Sequence, residues 1–490
     1  MQARSIVQAV SLGASVAEFD SDLEKYFIET ETFRSVISNA GDIISGDKGT
    51  GKTAIYRILK KNYRAYKALD SVEIVDAFNP TGDPVFQRLT QEPMLEEGQY
   101  RTFWKAYIFS LVGNWLLDIY PSDYSPETRA LADTLGFLGL RTTDVTPETI
   151  FGSLHGLVRR LMKPDAIEIG ASINDAGLPV VVPRAEFGED KQEGDRIYNG
   201  DYLSVLDKAV STTDLKIWVL FDRLDEAFAS APDVEVPALR ALMRTYLDLM
   251  NLEFVRLKLF IRKDLFRKII AGGFVNLTHI NARKIEIVWD DEDLISMVVR
   301  RVLENHDFRK QTGLSAEMSD DHVFSILLPP QIDVGDRKPT TKSWIMSRIR
   351  DGNNSRPPRN MIDLLNKARE SQLRREQRDE REVDIRKGPV IEADAVRRAF
   401  SQLSEQRVQD TLLAEAVELA DVIQNFRDGK SEHNPDTLAE TIGDVDEYSD
   451  TVKALVDLGF LEEFGPNHKV PMLYRDGLRI RQGKAFSAEQ

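Results

Sequence analysis

Between Gly46 and Thr53 the chain reads GDKGTGKT. Glycines at 46 and 51, a lysine at 52 and a threonine at 53 stand at the spacing G-x-x-x-x-G-K-[ST]. The chemistry that needs this pattern is the holding of phosphate groups. A turn built from Gly46, Asp47, Lys48, Gly49, Thr50 and Gly51 leaves backbone N–H groups bare, where larger side chains would block a ligand. A helix that starts directly after the turn adds its dipole to theirs. Lys52 is then placed to reach the β and γ phosphates, and the Thr53 hydroxyl to ligate Mg²⁺. A second stretch, WVLFDRLDEAF, ends an apolar run in a carboxylate, Asp222, the expected Mg²⁺ residue. Asp225 and Glu226 follow closely, and either would polarise a water for in-line attack on the γ-phosphate. Spacing does not choose between them.

Such residues need a scaffold, and the flanking segments supply one. VISNAGDIIS before the loop ends in a short apolar run, and GKTAIYRILKKNYRAYKAL after it has helical spacing. Strand signals follow in SVEIVDA, which the turn FNPTGDP ends, and then in LKIWVLF, FVRLKLFI and KIEIVW (Lys284 to Trp289), with helical patterns between them. Apolar strands that alternate with helices predict an α/β fold with a parallel sheet covered on both faces. An insertion over about residues 85–214 holds long amphipathic segments such as RTFWKAYIFSLVGNWLLDIY and the β-rich stretch IEIGASINDAGLPVVVP. DDEDLISMVVRRVLENH reads as a helix whose acids sit in the first turn, where the dipole favours them. Near the end, two helical segments followed by GFLEE and a short strand across a Gly-Pro turn read as a winged helix.

The composition narrows the function classes. The 490 residues predict two or three domains. With no cysteine, disulfides, thiolate zinc sites and cysteine nucleophiles are excluded, and a reducing cytoplasm suits the chain. The N-terminal stretch has no apolar core of a signal peptide, and no run of about 18 apolar residues predicts a membrane span. A net charge of −16 argues against indiscriminate coating of DNA, although arginines gather between Lys338 and Lys387 with acids interleaved. The six histidines show no metal-ligand spacing. No N-K-x-D stretch is present, so ATP is preferred over GTP.

GDKGTGKT paired with LFDRLDEAF resembles the P-loop ATPases of the signal-transduction type (STAND, including NACHT and KAP NTPases), in which an apolar strand leads into D-G-x-D-E or a close variant. Arg223 stands where those proteins carry a small residue. The start LGASVAEFDSDLEKYFIETETF and the ending VPMLYRDGLRI also resemble a group of bacterial ATPases, some encoded among phage-defence genes. The resemblance implies that FVRLKLFIRKDLF forms the strand between the loop strand and the magnesium strand, with Arg262 facing the γ-phosphate; an exposed strand-end arginine is the plainer alternative, and Asp264 is expected to cap the next helix. It also implies that NSRPPRNMIDLLNKA is a lid segment in which Arg356 or Arg359 reads the nucleotide, although Pro357 and Pro358 fit simple helix initiation. Arg240 and Arg244 are candidates for arginine fingers acting on a neighbouring copy.

The expected organisation is an N-terminal helical segment (1–40), a P-loop core (41–290), a helical lid (291–370), a charged linker (371–390) and a helical and winged-helix-like region (391–490). The expected function is an ATP-dependent molecular switch that self-associates and acts through an effector partner, in phage defence or stress signalling. A DNA-acting motor or loader using the winged helix is the alternative, disfavoured by the acids of DEYSDTVKALVDLGF. A scaffold that holds ATP without turnover is the third.

Overall fold

The computed structural model describes all residues except 1, 78–96, 143–153, 155–167, 174–178, 185–201, 225, 227–231, 272, 379–380, 383, 385–387, 415, 446 and 487–490. The turn FNPTGDP lies outside the described residues. The chain forms two compact units, one of Glu31–Gly46 with Ile55–Glu286, the other of Met1–Thr30, Asp47–Ala54 and Ile287–Gln490.

The first unit is built on strands β1 (Ile43–Gly46), β2 (Val72–Asp76), β5 (Lys216–Phe221), β6 (Val255–Arg262) and β7 (Lys284–Glu286), with β3 (Glu168–Ile173) and β4 (Pro179–Arg184) as a separate antiparallel hairpin. The sheet order is β2-β5-β6-β1-β7 and every pairing is parallel. The strand FVRLKLFI does lie between the loop strand and the strand ending before Asp222. β1 is buried along its whole length and β5 everywhere but its first residue, so both are apolar on both faces save for the buried Ser45 of β1. One face packs on the helix Glu97–Ile119, whose Trp104 indole donates to the Ala238 carbonyl at 2.8 Å and meets Phe221 edge to face.

A buried ionic group anchors the start of β1. Lys258, on β6, has no exposed side-chain surface and donates to Asn39 Oδ1, the Gly41 carbonyl and Asp42 Oδ1 at 2.7, 2.7 and 2.8 Å. Arg283 donates to the same carboxylate at 2.9 and 3.1 Å, and the Tyr246 hydroxyl donates to it at 3.0 Å. Burial works against the Asp42 carboxylate, yet Lys258 and Arg283 hold it below the usual carboxylate range. Burial pushes the Lys258 ammonium below its ordinary value. The expected strand Lys284–Trp289 is corrected to three residues: the chain leaves the sheet after Glu286, because Trp289 is drawn elsewhere by its indole N–H.

The second unit shares one apolar core, which runs from Ala3 through the helices Asp291–Glu304 and Pro358–Glu376 to Ile480. The N-terminal segment is tied in by Arg301 to Asp20 at 2.9 Å and by Asn366 to the Gly13 carbonyl at 3.0 Å. Val390 and Ile391, fully buried, bond to the Ile326 and Leu327 carbonyls at 2.9 Å. The last part has the element order of a winged helix: helix Ala420–Asn425, strand β8 (Lys430–His433), helices Pro435–Ile442 and Tyr448–Asp457, then the hairpin β9 (Glu462–Phe464) and β10 (Asn467–Lys469). β11 (Arg481–Lys484) adds a parallel edge beside β8. The turn before Arg356 is fastened to this region. Gly352 N–H donates to the Gly459 carbonyl at 2.7 Å, Asn353 to the Asp457 carbonyl at 3.1 Å, and Arg350 pairs with Glu462 at 3.3 Å.

Two outcomes follow from this packing. Lys258→Met leaves Asp42 buried with part of its compensation gone and should lower the unfolding free energy by about 3–5 kcal/mol in urea denaturation. A Cβ at Gly352 would lie 2.4 Å from the Leu461 carbonyl oxygen. Gly352→Ala should therefore cost roughly 1–3 kcal/mol, read as a lowered urea midpoint.

Candidate functional site

The glycine turn leaves β1 at Gly46 and enters the helix Lys52–Asn62. Gly49 has φ +80° and Gly51 φ +101°, conformations that side-chain-bearing residues rarely adopt. Bonds inside the turn converge on one acceptor, the Asp47 carbonyl, which receives the Thr50 hydroxyl at 2.8 Å and the Lys52 ammonium at 2.8 Å. Lys52 thus lies folded back over the turn. Lys48 is exposed and Thr53 half-buried. On the other side, the Trp289 indole N–H donates to the Thr50 carbonyl at 2.8 Å.

The Pro358–Glu376 helix starts as its prolines predict, with Pro357 at the cap position. It sets Arg359 against the turn: a Cβ on Gly49 would come within 2.9 Å of the Arg359 Cβ. Arg359 is half-buried, its buried Nε has no hydrogen-bond partner, and burial, reinforced by Arg407, lowers its pKa. Arg407 is itself held by Asn360 Oδ1 at 2.7 Å and by Asp363. Arg356, one turn earlier, points to a different task. It pairs with Asp291 and donates to Asn354 Oδ1 at 3.3 Å. Asp290 caps the Asp291–Glu304 helix through the Asp293 N–H at 2.7 Å, which accounts for the acidic run there.

In the sheet unit the carboxyl ends of the parallel strands share one edge. Gly46 lies opposite Arg262 in register, and Phe221, just before Asp222, opposite Leu259. Asp222 is buried at 4% exposure. Arg223 follows in the left-handed region at φ +57°, a conformation that glycine adopts more readily than arginine. Its guanidinium pairs with Glu226 at 2.8 Å. Asp225 lies outside the described residues. Arg262 is bound to Asp264 at 3.0 and 2.8 Å, and Asp264 sits within the first turn of the helix Lys263–Ile270 rather than capping it. Burial raises the Asp264 carboxyl, and Arg262 more than offsets this, leaving it below its ordinary value. Arg244 pairs with Glu97 at 2.5 Å and Arg240 donates to the Gly273 carbonyl.

Sequence reasoning missed Trp289, which it took for the last residue of a strand. The one signal was its place directly before a run of helix-starting acids. Among the described residues no group of three or more His, Cys, Asp or Glu is arranged to hold a metal ion, and no helix is long and apolar enough to cross a membrane.

No protein-family model matches the chain, and no curated protein matches it. Among solved structures, the ORC2 protein of Aeropyrum pernix in ADPNP and ADP complexes aligns over 91% of this chain and 90% of its own at 13% identity and a TM-score of 0.36. The ORC1 protein of the same organism in complex with DNA aligns over 95% and 96% at 13% identity and 0.34. The ADP form of ORC2 aligns over 90% and 86% at 12% identity and 0.30. Likenesses this distant carry no inference about what this chain binds.

Gly49→Ala combines a left-handed φ with the contact to Arg359. It should destabilise the unit that holds the turn by about 1–3 kcal/mol, measured by urea denaturation.

Proposed function

We propose that the chain binds Mg-ATP on the glycine turn and hydrolyses it. The observation that carries this reading is Arg359, a half-buried arginine whose stem packs tightly against Gly49 and whose buried Nε is unsatisfied. A buried cation is costly until an anion meets it. The turn fits the phosphates of a nucleotide: Gly49 and Gly51 adopt backbone angles that keep side chains off the turn, Arg359 packs against Gly49, and the Lys52 ammonium is at hand. Thr53 and Asp222 are the proposed Mg²⁺ ligands. When bound, the metal would neutralise charge on the β and γ oxygens.

The steps this chain's own residues take are these. Lys52 exchanges the Asp47 carbonyl for a phosphate oxygen, a charge-assisted bond in place of a neutral acceptor. Arg359 supplies a positive charge to the phosphate chain without breaking any bond through Nε. Arg356 keeps its guanidinium on Asp291 and holds the helix start in place. Arg262 reads the γ-phosphate by leaving Asp264, and Glu226, released by Arg223, or Asp225 orients water. Arg240 and Arg244 are already engaged inside their own unit, which weighs against a role on a neighbouring copy.

The output is an ATP-dependent switch in which the winged helix moves with the lid helices, to which Gly352, Asn353 and Arg350 fasten it. The winged-helix order of elements favours a second reading, an ATPase acting on DNA. The exposed residues of its helix Tyr448–Asp457 are Ser449, Asp450, Lys453 and Asp457, so the helix is a poor phosphate reader. Lys430, Lys469, Arg481 and Lys484 lie on the adjoining sheet and would take that part. A defence or stress setting gains no support from the fold or the comparisons.

Wild type should turn over ATP with Mg²⁺, and Lys52→Ala should not. Arg359→Ala should weaken ATP binding roughly 10- to 100-fold, the loss of one charge-assisted bond. Stimulation by duplex DNA that is abolished in Lys430→Glu/Arg481→Glu would establish the second reading over the first. A wild type that neither binds nor hydrolyses ATP would refute both.

A further inference from the structure

We propose that Trp289 is a positioning residue for the phosphate-holding turn: its indole N–H fixes the Thr50–Gly51 peptide and so aims the Gly51 N–H at bound phosphate. The inference rests on the nucleotide reading given above and adds a residue to it.

The turn can be followed peptide by peptide. At its start, Thr50 is held on the Asp47 carbonyl by its own N–H at 3.4 Å and its hydroxyl at 2.8 Å. From Lys52 onward the helix sets the direction of each N–H. The peptide between Thr50 and Gly51 belongs to neither arrangement. Gly51, at φ +101°, has no Cβ to restrict its rotation, so the local chain does not choose one orientation for that plane. Trp289 chooses it from outside. Its Nε1–H donates to the Thr50 carbonyl at 2.8 Å. In a planar trans peptide the C=O and the following N–H point in opposite directions, so a carbonyl fixed on the indole turns the Gly51 N–H away from Trp289. Thr50 is only 3% exposed, which leaves little water to serve its carbonyl in place of the indole.

The tryptophan is itself well placed to act as an anchor. Ile287, two residues before it, is buried. Asp290, directly after it, caps the helix Asp291–Glu304, and Asp291 holds Arg356 at the start of the helix that carries Arg359. The indole flank also lies along the turn: a Cβ at Gly51 would meet Trp289 Cζ2 at 3.9 Å. Phenylalanine would retain this flank and lose the donor, since indole N–H is the only polar group of the side chain.

The test compares wild type, Trp289→Phe and Lys52→Ala by calorimetric titration with ATP, ADP and adenosine, together with the melting temperature of each protein without ligand. In Trp289→Phe both ATP and ADP should bind about tenfold more weakly, the worth of one aimed hydrogen bond. Adenosine, which has no phosphate, should not distinguish the variant from wild type, and the melting temperature, lowered by the unpartnered Thr50 carbonyl, should still leave the variant fully folded at the temperature of the titration. ATP bound by Trp289→Phe as tightly as by wild type overturns the proposal while leaving the nucleotide reading intact. A parallel loss for adenosine, or a drop in melting temperature that accounts for the weaker binding, makes the residue a packing element and overturns it too. Absence of ATP binding in wild type itself removes the nucleotide reading and this inference with it.

Discussion

The backbone angles of the glycine turn can be kept only where no side chain crowds them, and that constraint sets the surroundings as well as the turn. Gly49 and Gly51 adopt backbone angles that other residues avoid, and space at Gly49 is taken up by Arg359 from the helix Pro358–Glu376. The contact leaves no room for a methyl group. It also brings a guanidinium to the turn without giving its Nε a partner, an arrangement that favours an anion there.

Seen against that charge, the other arginines divide by how they are neutralised. Arg356 faces Asp291, Arg407 faces Asp363 and Asn360, Arg262 faces Asp264, and Arg223 faces Glu226. Each has a carboxylate within its own unit. Arg407 is close enough to lower the Arg359 pKa further, while Asp363 and Glu18 offset part of the effect. Stability and readiness for a ligand draw on the same kind of side chain, and only the partner distinguishes them.

The winged helix is joined to this helical region by backbone as well as by charge. Gly352 and Gly459 meet at 2.7 Å between main-chain atoms, so the turn before Arg356 and the turn before β9 approach without intervening side chains. The helix Tyr448–Asp457 exposes Asp450 and Asp457 with Lys453, and the sheet carries Lys430, Lys469, Arg481 and Lys484 beside Glu432, Glu462 and Glu463.

The sequence by itself determined the turn, the parallel α/β sheet, the helix beginning at Pro358 and the two helices and hairpin of the winged helix, whereas the inner place of FVRLKLFI in the sheet was implied only by a family resemblance. The features that the sequence determined follow from local causes: glycine spacing, apolar runs, proline and capping acids. Periodicity could not reveal which arginine of the pair Arg356 and Arg359 finds a carboxylate, because Asp291 is distant in sequence and both arginines look alike. Nor could it show that Lys258, in a strand pattern, would be buried on Asp42, or that Trp289 would leave the strand to bond Thr50. Only the tertiary structure decided these, for a physical reason. Propensity and spacing act over a few neighbouring residues, whereas the partner of a charge or a hydrogen-bond donor is settled by which distant segments the packed core brings within about 3 Å.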